Sequence, residues 1–310
     1  MFIVSMTTIP CRQARLEENI ESLLNQSFIF DKLVINIDDN LTQEDYQWYD
    51  KFAERDRRIE VGRCDAKWRS CNKLLPTLKK YPDDVIITVD DDIYYPVDSI
   101  RYLLESYVKN PDCIIAHEVN PITVSEDIEF LGYNDDMDVK LNFREYGKYL
   151  SNCCLFPPHI FDGSDLYDYD KMMECTGGCH DELWFWVNST VNGVPVINLD
   201  YVVTFMTDIK TKWDDSEYRL RDTIKEEEYM DEYNKKIIEM YGGRINKVLA
   251  DYVPTFILTK DNIYAFICQF DIIKKYYMYR KDTVVSLKNL TSSYQSSICN
   301  FLKMQEISIN

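Results

Sequence analysis

The first half of the chain alternates short apolar runs with segments of helical periodicity. Runs of strand length lie at residues 2–6, 31–39, 59–61, 85–89, 113–117 and 153–156. Apolar residues recur at the three- and four-residue spacing of a buried helix face in 16–24, 71–80 and 100–107. Strands that alternate with helices are typical of a mostly parallel sheet covered by helices. The pattern therefore predicts a Rossmann-like α/β fold.

The second half of the chain is less regular. Residues 121–170 show no clean period, so we predict loops there, apart from the strand at 153–156. A helix is predicted over 181–191, ended by Asn192 and Gly193, with a strand at 194–199 after it. A long charged helix is predicted over 216–241 and closed by Gly242 and Gly243. Aromatic-rich helical stripes follow, and we place one boundary near residue 210.

Composition and charge exclude several classes of protein. The chain has 53 acidic and 35 basic side chains, a net charge of −18, so nucleic acid and anionic membrane surfaces would repel it. No apolar run approaches the ~20 residues that span a bilayer. The apolar start, residues 1–6, is too short for a secretion signal, and the ten cysteines lack small-domain disulfide spacing. We expect a cytoplasmic protein with reduced thiols.

Three consecutive carboxylates follow the apolar run at 85–89. Asp90, Asp91 and Asp92 would repel one another and lose hydration at a strand end, unless a cation offsets both costs. Oxygen-rich settings suit Mg²⁺ or Mn²⁺, and ligands of open α/β sheets bind outside the carboxyl ends of the strands. The sequence therefore predicts a divalent metal site here. The alternative is a solvated acidic turn that caps the next helix.

Five segments in order resemble a known family. They are Ser5-Met6-Thr7-Thr8-Ile9-Pro10, Asn72-Lys73-Leu74-Leu75-Pro76, Thr88-Val89-Asp90-Asp91-Asp92-Ile93-Tyr94-Tyr95-Pro96, Leu155-Phe156-Pro157-Pro158 and Asp181-Glu182-Leu183-Trp184. Together they resemble family-2-like glycosyltransferases of the GT-A fold, which build bacterial surface polysaccharide or viral glycans. The resemblance implies a GT-A domain over 1–210, with a nucleotide-sugar half at about 1–120 and an acceptor half at about 121–210. Residues 211–310 would then be a helical extension.

The resemblance also implies a nucleotide-sugar donor, most plausibly UDP-linked, and Mn²⁺ or Mg²⁺ on its diphosphate. In the DxD motif of that fold, Asp92 would be the direct metal ligand, while Asp90 or Asp91 would face the ribose and sugar, with Asp90 as a second metal candidate. Thr7 or Thr8 and Asp38 or Asp39 would contact the nucleotide. Lys73 belongs to the densest basic stretch in the first half and is our candidate for a phosphate contact. Turn chemistry is the alternative for the Asp38-Asp39 pair.

The acidic pair at 181–182 is the candidate base. An inverting transfer needs a carboxylate to take the proton of the acceptor hydroxyl. The resemblance favours the second acid, Glu182, with Asp181 as the alternative, and His180 would bind the metal or tune the base. The alternative structural role is a helix cap with an acid in the first turn. The rings of Trp184 and Trp186 would form a sugar-stacking platform or belong to the core.

The predicted function is a metal-dependent transfer of a sugar from a UDP-sugar to a glycan or other hydroxyl acceptor, with inversion, in polysaccharide biosynthesis. The protein would be cytoplasmic, in the host cytoplasm if it is viral, and the extension would close the acceptor side or mediate homo-oligomerisation. One rival is a haloacid-dehalogenase-like phosphatase, whose nucleophile also stands in a D-x-D pattern, although Tyr94 replaces the expected Thr or Val. The other is a non-catalytic, cation-dependent carbohydrate-binding module.

Overall fold

The computed structural model describes residues 1–133, 139–199, 210–211, 226–278, 280, 282–305 and 307. The strands are β1 (Phe2–Thr7), β2 (Lys32–Asp38), β3 (Ile59–Cys64), β4 (Val85–Val89), β5 (Ile93–Tyr94), β6 (Ile114–Ala116), β7 (Val119–Asn120), β8 (Ile122–Val124), β9 (Phe130–Tyr133), β10 (Arg144–Glu145), β11 (Lys148–Tyr149), β12 (Cys153–Phe156), β13 (Val196–Asn198), β14 (Lys210–Thr211), β15 (Thr255–Leu258) and β16 (Val284–Leu287). The helices are α1 (Gln13–Leu24), α2 (Gln43–Arg55), α3 (Leu75–Lys80), α4 (Ser99–Lys109), α5 (Tyr169–Thr176), α6 (Asp181–Val191), α7 (Glu226–Asp251), α8 (Ile263–Cys268), α9 (Phe270–Tyr277) and α10 (Ser292–Met304), with 3-10 helices at Pro10–Arg12 and Ala66–Lys73.

The main sheet has eight strands in the order β10, β13, β6, β12, β4, β1, β2, β3. Strands β3, β2, β1 and β4 are parallel, and β13 is parallel to β6. Strand β12 runs antiparallel between β4 and β6, and β10 is antiparallel at the edge. The predicted mostly parallel sheet with covering helices is confirmed. Because β12 is reversed, its first residues lie at the same edge of the sheet as the carboxyl end of β4.

Alternation along the strands divides the core into two faces. In β4, Ile87 belongs to a cluster that includes α1, α2 and α4, whereas Ile86 belongs to a cluster on the other face with α5, α6 and α7. Successive side chains of a strand point to opposite faces, so a central strand covered on both sides is apolar throughout. The completely buried β4 is apolar except at Thr88, whose hydroxyl donates to the Ser151 oxygen at 2.7 Å.

The segment before β4 prepares the site. The predicted helix at 71–80 begins only at Leu75, with Pro76 in its first turn, where a proline costs no hydrogen bond. Residues 66–73 form a 3-10 helix that carries Lys73 at its end. Asp65 caps this helix by accepting a hydrogen bond from the Lys67 N–H at 3.0 Å. Lys73 thus enters the core next to β1 instead of lying on an exposed helix face.

Two predictions for the less regular regions need correction. The described residues within 121–170 are mainly loop, as predicted, but they also contain the short strands β8 to β11 and the start of α5 in addition to β12. The long charged helix does not close at Gly242 and Gly243, because α7 continues to Asp251. Buried Ile237, Tyr241, Ile245 and Leu249 carry one face of α7 through the glycines, so tertiary packing outweighs their low helix propensity. Residues 216–225 of that prediction lie outside the described residues.

The C-terminal region adds a third apolar cluster. Phe256, Phe266 and Ile273 pack in it against Leu141 and Phe143 of the first part of the chain. Helices predominate here, as expected, but β15 and β16 also form a parallel pair. The boundary near residue 210 stays a prediction. No helix in the described part of the chain has the length and apolarity needed to cross a bilayer.

Candidate active site

The three aspartates form a turn at the carboxyl end of β4. The side-chain amide of Asn19 donates to the backbone oxygens of Asp90 and Ile93, at 2.8 and 2.7 Å. The Tyr95 hydroxyl accepts from the Asp90 N–H at 2.8 Å and donates to the Asn152 oxygen at 2.5 Å. These bonds hold the backbone of the turn from both sides. Its three carboxylates are therefore presented in a defined arrangement.

Two basic side chains meet these carboxylates. Lys73 Nζ donates to Asp90 and lies 3.2 Å from the Asp181 carboxylate. Arg12, from the 3-10 helix that follows β1, donates to Asp91 and lies 3.4 Å from Asp92 Oδ2. Of the ion pairs that Arg12 makes with this turn, the one to Asp92 is the longer, and 30% of the Asp92 side chain is exposed. It is the carboxylate of the turn that is best placed to meet a ligand.

The ionisation of this cluster follows from burial and pairing. Burial raises the pKa of Asp90 to about 6, although Lys73 opposes the shift. Burial also raises the pKa of Asp91 against the attraction of Arg12. Burial alone would lower the pKa of Lys73, but Asp181 and Asp90 outweigh it and raise that pKa. Lys73 therefore remains a cation at neutral pH.

Helix α6 begins with the predicted acidic pair, and its two acids have different surroundings. Asp181 is buried, and its Oδ2 accepts a hydrogen bond of 2.7 Å from Ser151 Oγ as well as the ion pair with Lys73. Glu182 keeps a quarter of its side chain exposed (25%), and its Oε1 lies 3.9 Å from His180 Nδ1. Burial alone would raise the pKa of Glu182, but His180 and Lys148 outweigh it and lower that pKa. Glu182 is thus ionised at neutral pH and accessible.

Lys73 joins the two acidic motifs. Its ammonium touches Asp90 of the β4 turn and Asp181 of α6, and it also donates to Ser151 Oγ at 3.3 Å. Ser151 stands just before β12, which the antiparallel register brings beside the end of β4. The structure therefore brings together two motifs that lie far apart in the sequence.

The predicted nucleotide contacts lie at the same sheet edge. The Thr7 hydroxyl donates to the Asn36 oxygen of β2 at 3.0 Å, and the buried Thr8 lies beside Asp91 and Tyr49. Asp38 ends β2 half-buried, and burial followed by repulsion from Asp39 raises its pKa. Asp39 is exposed. Strands β1, β2 and β4 are parallel, so these side chains lie at the same edge of the sheet as the acidic turn, with β1 between β2 and β4.

The oxygen donors at the acidic turn decide whether a divalent ion fits this site. In the described residues, no three side chains of His, Cys, Asp or Glu converge as a metal-binding group. Mg²⁺ is usually held by one or two carboxylates, with substrate phosphates and waters completing its shell. Asp92, and the oxygen of Asp90 that does not face Lys73, fit that requirement. His180 packs instead against Glu182 and the ring of Tyr233, with ring centroids 5.4 Å apart in the latter pair.

Several residues of the site escaped the sequence analysis. Arg12, Asn19, Ser151 and Lys148 carry no local motif, and only the fold brings them to the acids. The position of Arg12 shortly after β1 was an available signal, because the carboxyl end of β1 borders that of β4. Trp184 and Trp186 are fully buried and belong to the core, so they do not form a sugar platform.

A protein-family model matches the part of the chain that forms most of the sheet and the acidic turn. Residues 6–159, which run from the end of β1 through β12 and include the acidic turn, match the model described as glycosyl transferase family 2. These residues, just under half of the chain, form a glycosyltransferase family 2 domain, and the protein is a glycosyltransferase. Its mixed, mostly parallel sheet with flanking helices is GT-A-like.

The solved structures that are similar to this chain include crystal structures of S. aureus TarS. One is 12% identical, with a TM-score of 0.46, covering 64% of this chain and 35% of that chain. TarS 1–349 in complex with UDP is 15% identical with a TM-score of 0.43, covering 64% and 58%. TarS 1–349 without a named ligand is 11% identical with a TM-score of 0.44, covering 89% and 80%. No curated protein matches the sequence.

Proposed function

We propose that this protein transfers a sugar from a nucleotide-sugar donor, UDP-linked, to a hydroxyl of a glycan acceptor, with a divalent metal ion and inversion at the sugar. One observation carries the proposal. The ammonium of Lys73 touches both Asp90 of the β4 turn and Asp181 of α6. A donor-binding acidic turn and a base-bearing helix thus form one cluster, as a transfer between two bound substrates requires.

The donor side is formed by the ends of β1, β2 and β4. Thr8 and Asp38 border the space for the base and ribose, while Arg12 and Lys73 are the cations nearest to the acidic turn. In an acidic chain, an anionic diphosphate needs local positive charge of this kind. Arg12 and Lys73 hold Asp91 and Asp90 in place, and their charge also favours the diphosphate.

Asp92, with Asp90 as second ligand, is the proposed holder of Mn²⁺ or Mg²⁺. When bound, such an ion offsets the negative charge that gathers on the departing diphosphate. The protein fixes the position of the carboxylates that would hold the ion. Asn19 and Tyr95 hold the backbone of the turn, and Arg12 keeps Asp91 oriented. His180 packs against Glu182 and Tyr233, so its proposed role is at the base, not at the metal.

Glu182 is the proposed base. It takes the proton of the acceptor hydroxyl while that oxygen forms a bond to the anomeric carbon of the donor sugar. The bond from this carbon to the diphosphate breaks, and the leaving nucleotide keeps the electron pair. Glu182 suits this step because it is ionised and partly exposed, whereas Asp181 is buried and engaged by Ser151 and Lys73. Asp181 then positions Lys73 and the start of α6.

The rival functions fit less well. The match to a glycosyltransferase family disfavours the haloacid-dehalogenase-like phosphatase. A non-catalytic carbohydrate-binding module would share the donor site, so only turnover distinguishes it. The proposed setting is polysaccharide biosynthesis at the cytoplasm, with the C-terminal helices at the acceptor side.

The base assignment is tested with Glu182→Gln. This change keeps the size of the side chain but removes its ability to accept a proton. We expect transfer from the UDP-sugar to fall by about 10²- to 10⁴-fold, the usual contribution of a general base, while UDP affinity stays within about twofold. Glu54→Gln, at an exposed position on α2, is the matched control.

The kinetic outcome separates the candidates. If Glu182→Gln is active and Asp181→Asn is inactive, Asp181 is the base and Glu182 is not. Wild-type protein that binds UDP and metal but transfers or hydrolyses no nucleotide sugar in a broad panel would favour the binding module. Turnover of a generic phosphomonoester without nucleotide sugar would instead support the phosphatase.

A further inference from the structure

Helix α7, which lies outside the residues matched by the family model, packs directly along α6. Its buried Ile237, Tyr241 and Ile245 share an apolar cluster with Leu183 and Trp184 of α6. Polar contacts fix the same face. Lys236 pairs with Glu174 at 3.2 Å, and the Tyr241 hydroxyl lies 3.1 Å from Asp165. These polar contacts fix α7 against α5 and the residues before it, and the apolar cluster packs α7 on α6.

This packing brings Tyr233 of α7 to the start of α6. Its ring lies against the imidazole of His180, with centroids 5.4 Å apart and planes at 60°. Its hydroxyl occupies the space beside Gly177. A Cβ built on Gly177 would overlap that hydroxyl and lie 3.0 Å from Tyr233 Cζ. Because Gly177 also has a φ of +59°, both the backbone and the space around it require glycine.

His180 connects Tyr233 with the proposed base. Its ring is buried between Tyr233 on one side and Glu182, whose Oε1 lies 3.9 Å from His180 Nδ1. The turn from Gly177 to Cys179 leads directly into His180, and residue 177 must lack a Cβ because the Tyr233 hydroxyl fills the space where that atom would lie. Tyr233, Gly177, His180 and Glu182 thus form a continuous contact path from the C-terminal region to the base.

We propose that Tyr233 is a positioning residue that holds His180 beside Glu182, so that α7 is part of the catalytic unit. This inference rests on the proposed function, because it assigns Glu182 as the base. It goes beyond that function by giving the C-terminal region a defined role on the acceptor side. Misplacement of a catalytic group by ~1 Å can cost ~100-fold in rate, so a contact of this kind controls turnover without touching substrate.

The test is a double-mutant cycle at Gly177 and Tyr233, with Gly193 as the matched glycine. Gly193 follows the end of α6 with a φ of +72°, as Gly177 follows the end of α5, and a Cβ on Gly193 would meet nothing within 4 Å. Gly193→Ala therefore introduces the backbone strain alone, whereas Gly177→Ala adds the overlap with Tyr233. In a Tyr233→Phe background the hydroxyl is removed and the overlap is reduced.

We expect Gly177→Ala to lower kcat by about 10- to 100-fold with the donor KM within twofold. Adding Tyr233→Phe should recover part of that loss, because the ring still packs on His180. Gly193→Ala should lower Tm but leave kcat within about twofold, with effects that add to those of Tyr233→Phe. Equal kcat losses for the two glycine variants, or additive effects at Gly177 and Tyr233, would overturn the proposal.

A second measurement does not depend on turnover. The chain has three histidines, so the His180 ring signals in an NMR spectrum are assigned by His117→Asn and His159→Asn. Tyr233→Ala should shift the His180 signals, and Tyr264→Ala, at an exposed position on α8, should not. A shift together with an inactive wild type would overturn the proposed function alone. Active wild type with unchanged His180 signals and unchanged kcat in Tyr233→Ala would overturn this inference alone.

Discussion

At the scale of single residues, Lys73 is the centre of the site. It is buried, yet it is charged, because two carboxylates offset the loss of hydration. Removing one partner of a buried charge cluster leaves the others uncompensated, which costs far more than the loss of a surface ion pair. Lys73 therefore stabilises the fold at the point where the two acidic motifs meet. A stability defect and a functional defect should appear together when it is replaced.

We expect Lys73→Met to lower the free energy of unfolding by about 3 kcal/mol, because Asp90 and Asp181 lose their shared cation. Lys79→Met, at an exposed position on α3, is the control and should change it by less than about 0.5 kcal/mol. Urea unfolding at pH 7 measures both. A Lys73→Met protein as stable as the control would show that the cluster is not held by this cation.

The sequence predicted the acids of the site better than their partners. Asp90, Asp91 and Asp92 stand out because three carboxylates directly follow a buried strand, and Asp181 and Glu182 because they open a helix. Arg12 and Ser151 have no such local signal, since they reach the acids only through sheet pairing. Spacing along a chain does not define which carboxylate is buried. The burial of Asp181 and the partial exposure of Glu182 therefore add support for Glu182 as the proposed base that the sequence alone could not supply.

At the scale of elements, a buried neutral histidine connects the end of β6 with the start of α4. His117 donates through Nε2 to the Ser99 oxygen at 3.2 Å, and its Nδ1 is buried with no hydrogen bond to the described residues. Burial lowers the pKa of His117 to about 4. In the unfolded chain, His117 takes up a proton near pH 6.5, whereas in the folded protein it does so only near pH 4. Stability is therefore lost as the pH falls through this window.

We expect His117→Gln, which cannot take up that proton, to flatten the acid side of the stability profile. Wild type should lose about 3 kcal/mol more than the variant between pH 6.5 and 4, since each pKa unit corresponds to 1.36 kcal/mol. Urea unfolding at several pH values gives the two slopes. His159→Gln, at an exposed position, is the matched control. Equal slopes for wild type and His117→Gln would contradict this account.

Helices and strands with a clear apolar periodicity were predictable from the sequence. Those whose existence or limits depend on helix capping or on tertiary packing were not. Helix α6 and strand β4 have the predicted limits, because their apolar spacing is clear. Helix α2 was missed, although Thr42 and Asp45 form a capping box before it. The end of α7 was placed too early because Gly242 and Gly243 were weighed without the apolar neighbours that carry the helix onward.

At the scale of the whole molecule, the C-terminal region does not stand apart from the sheet. Ile237, Ile245 and Leu249 of α7 belong to the same apolar cluster as Ile86 of β4 and Trp184 of α6. A domain that folds independently has a core of its own and few contacts across its boundary. We therefore expect α7 and the sheet to unfold together.

Ile245→Ala should lower the stability of the whole protein by about 3 kcal/mol in a single transition, because it leaves a cavity in the shared core. Ile238 also lies on α7 but is 38% exposed, so Ile238→Ala should lower the stability by less than about 1 kcal/mol. Calorimetry of both variants is the measurement. If Ile245→Ala shifted a separate, smaller transition and left the main one in place, the C-terminal region would be an independent domain.

The central claim is that the acidic turn binds the diphosphate of an activated sugar through a divalent ion. Titration calorimetry of UDP into wild type and Asp92→Asn, each with Mn²⁺ and with chelator, tests it most directly. We expect Mn²⁺ to tighten UDP binding to wild type by at least about tenfold and to have no effect on Asp92→Asn. UDP affinity that is equal with and without the metal in wild type, or an undiminished metal effect in Asp92→Asn, would contradict the account.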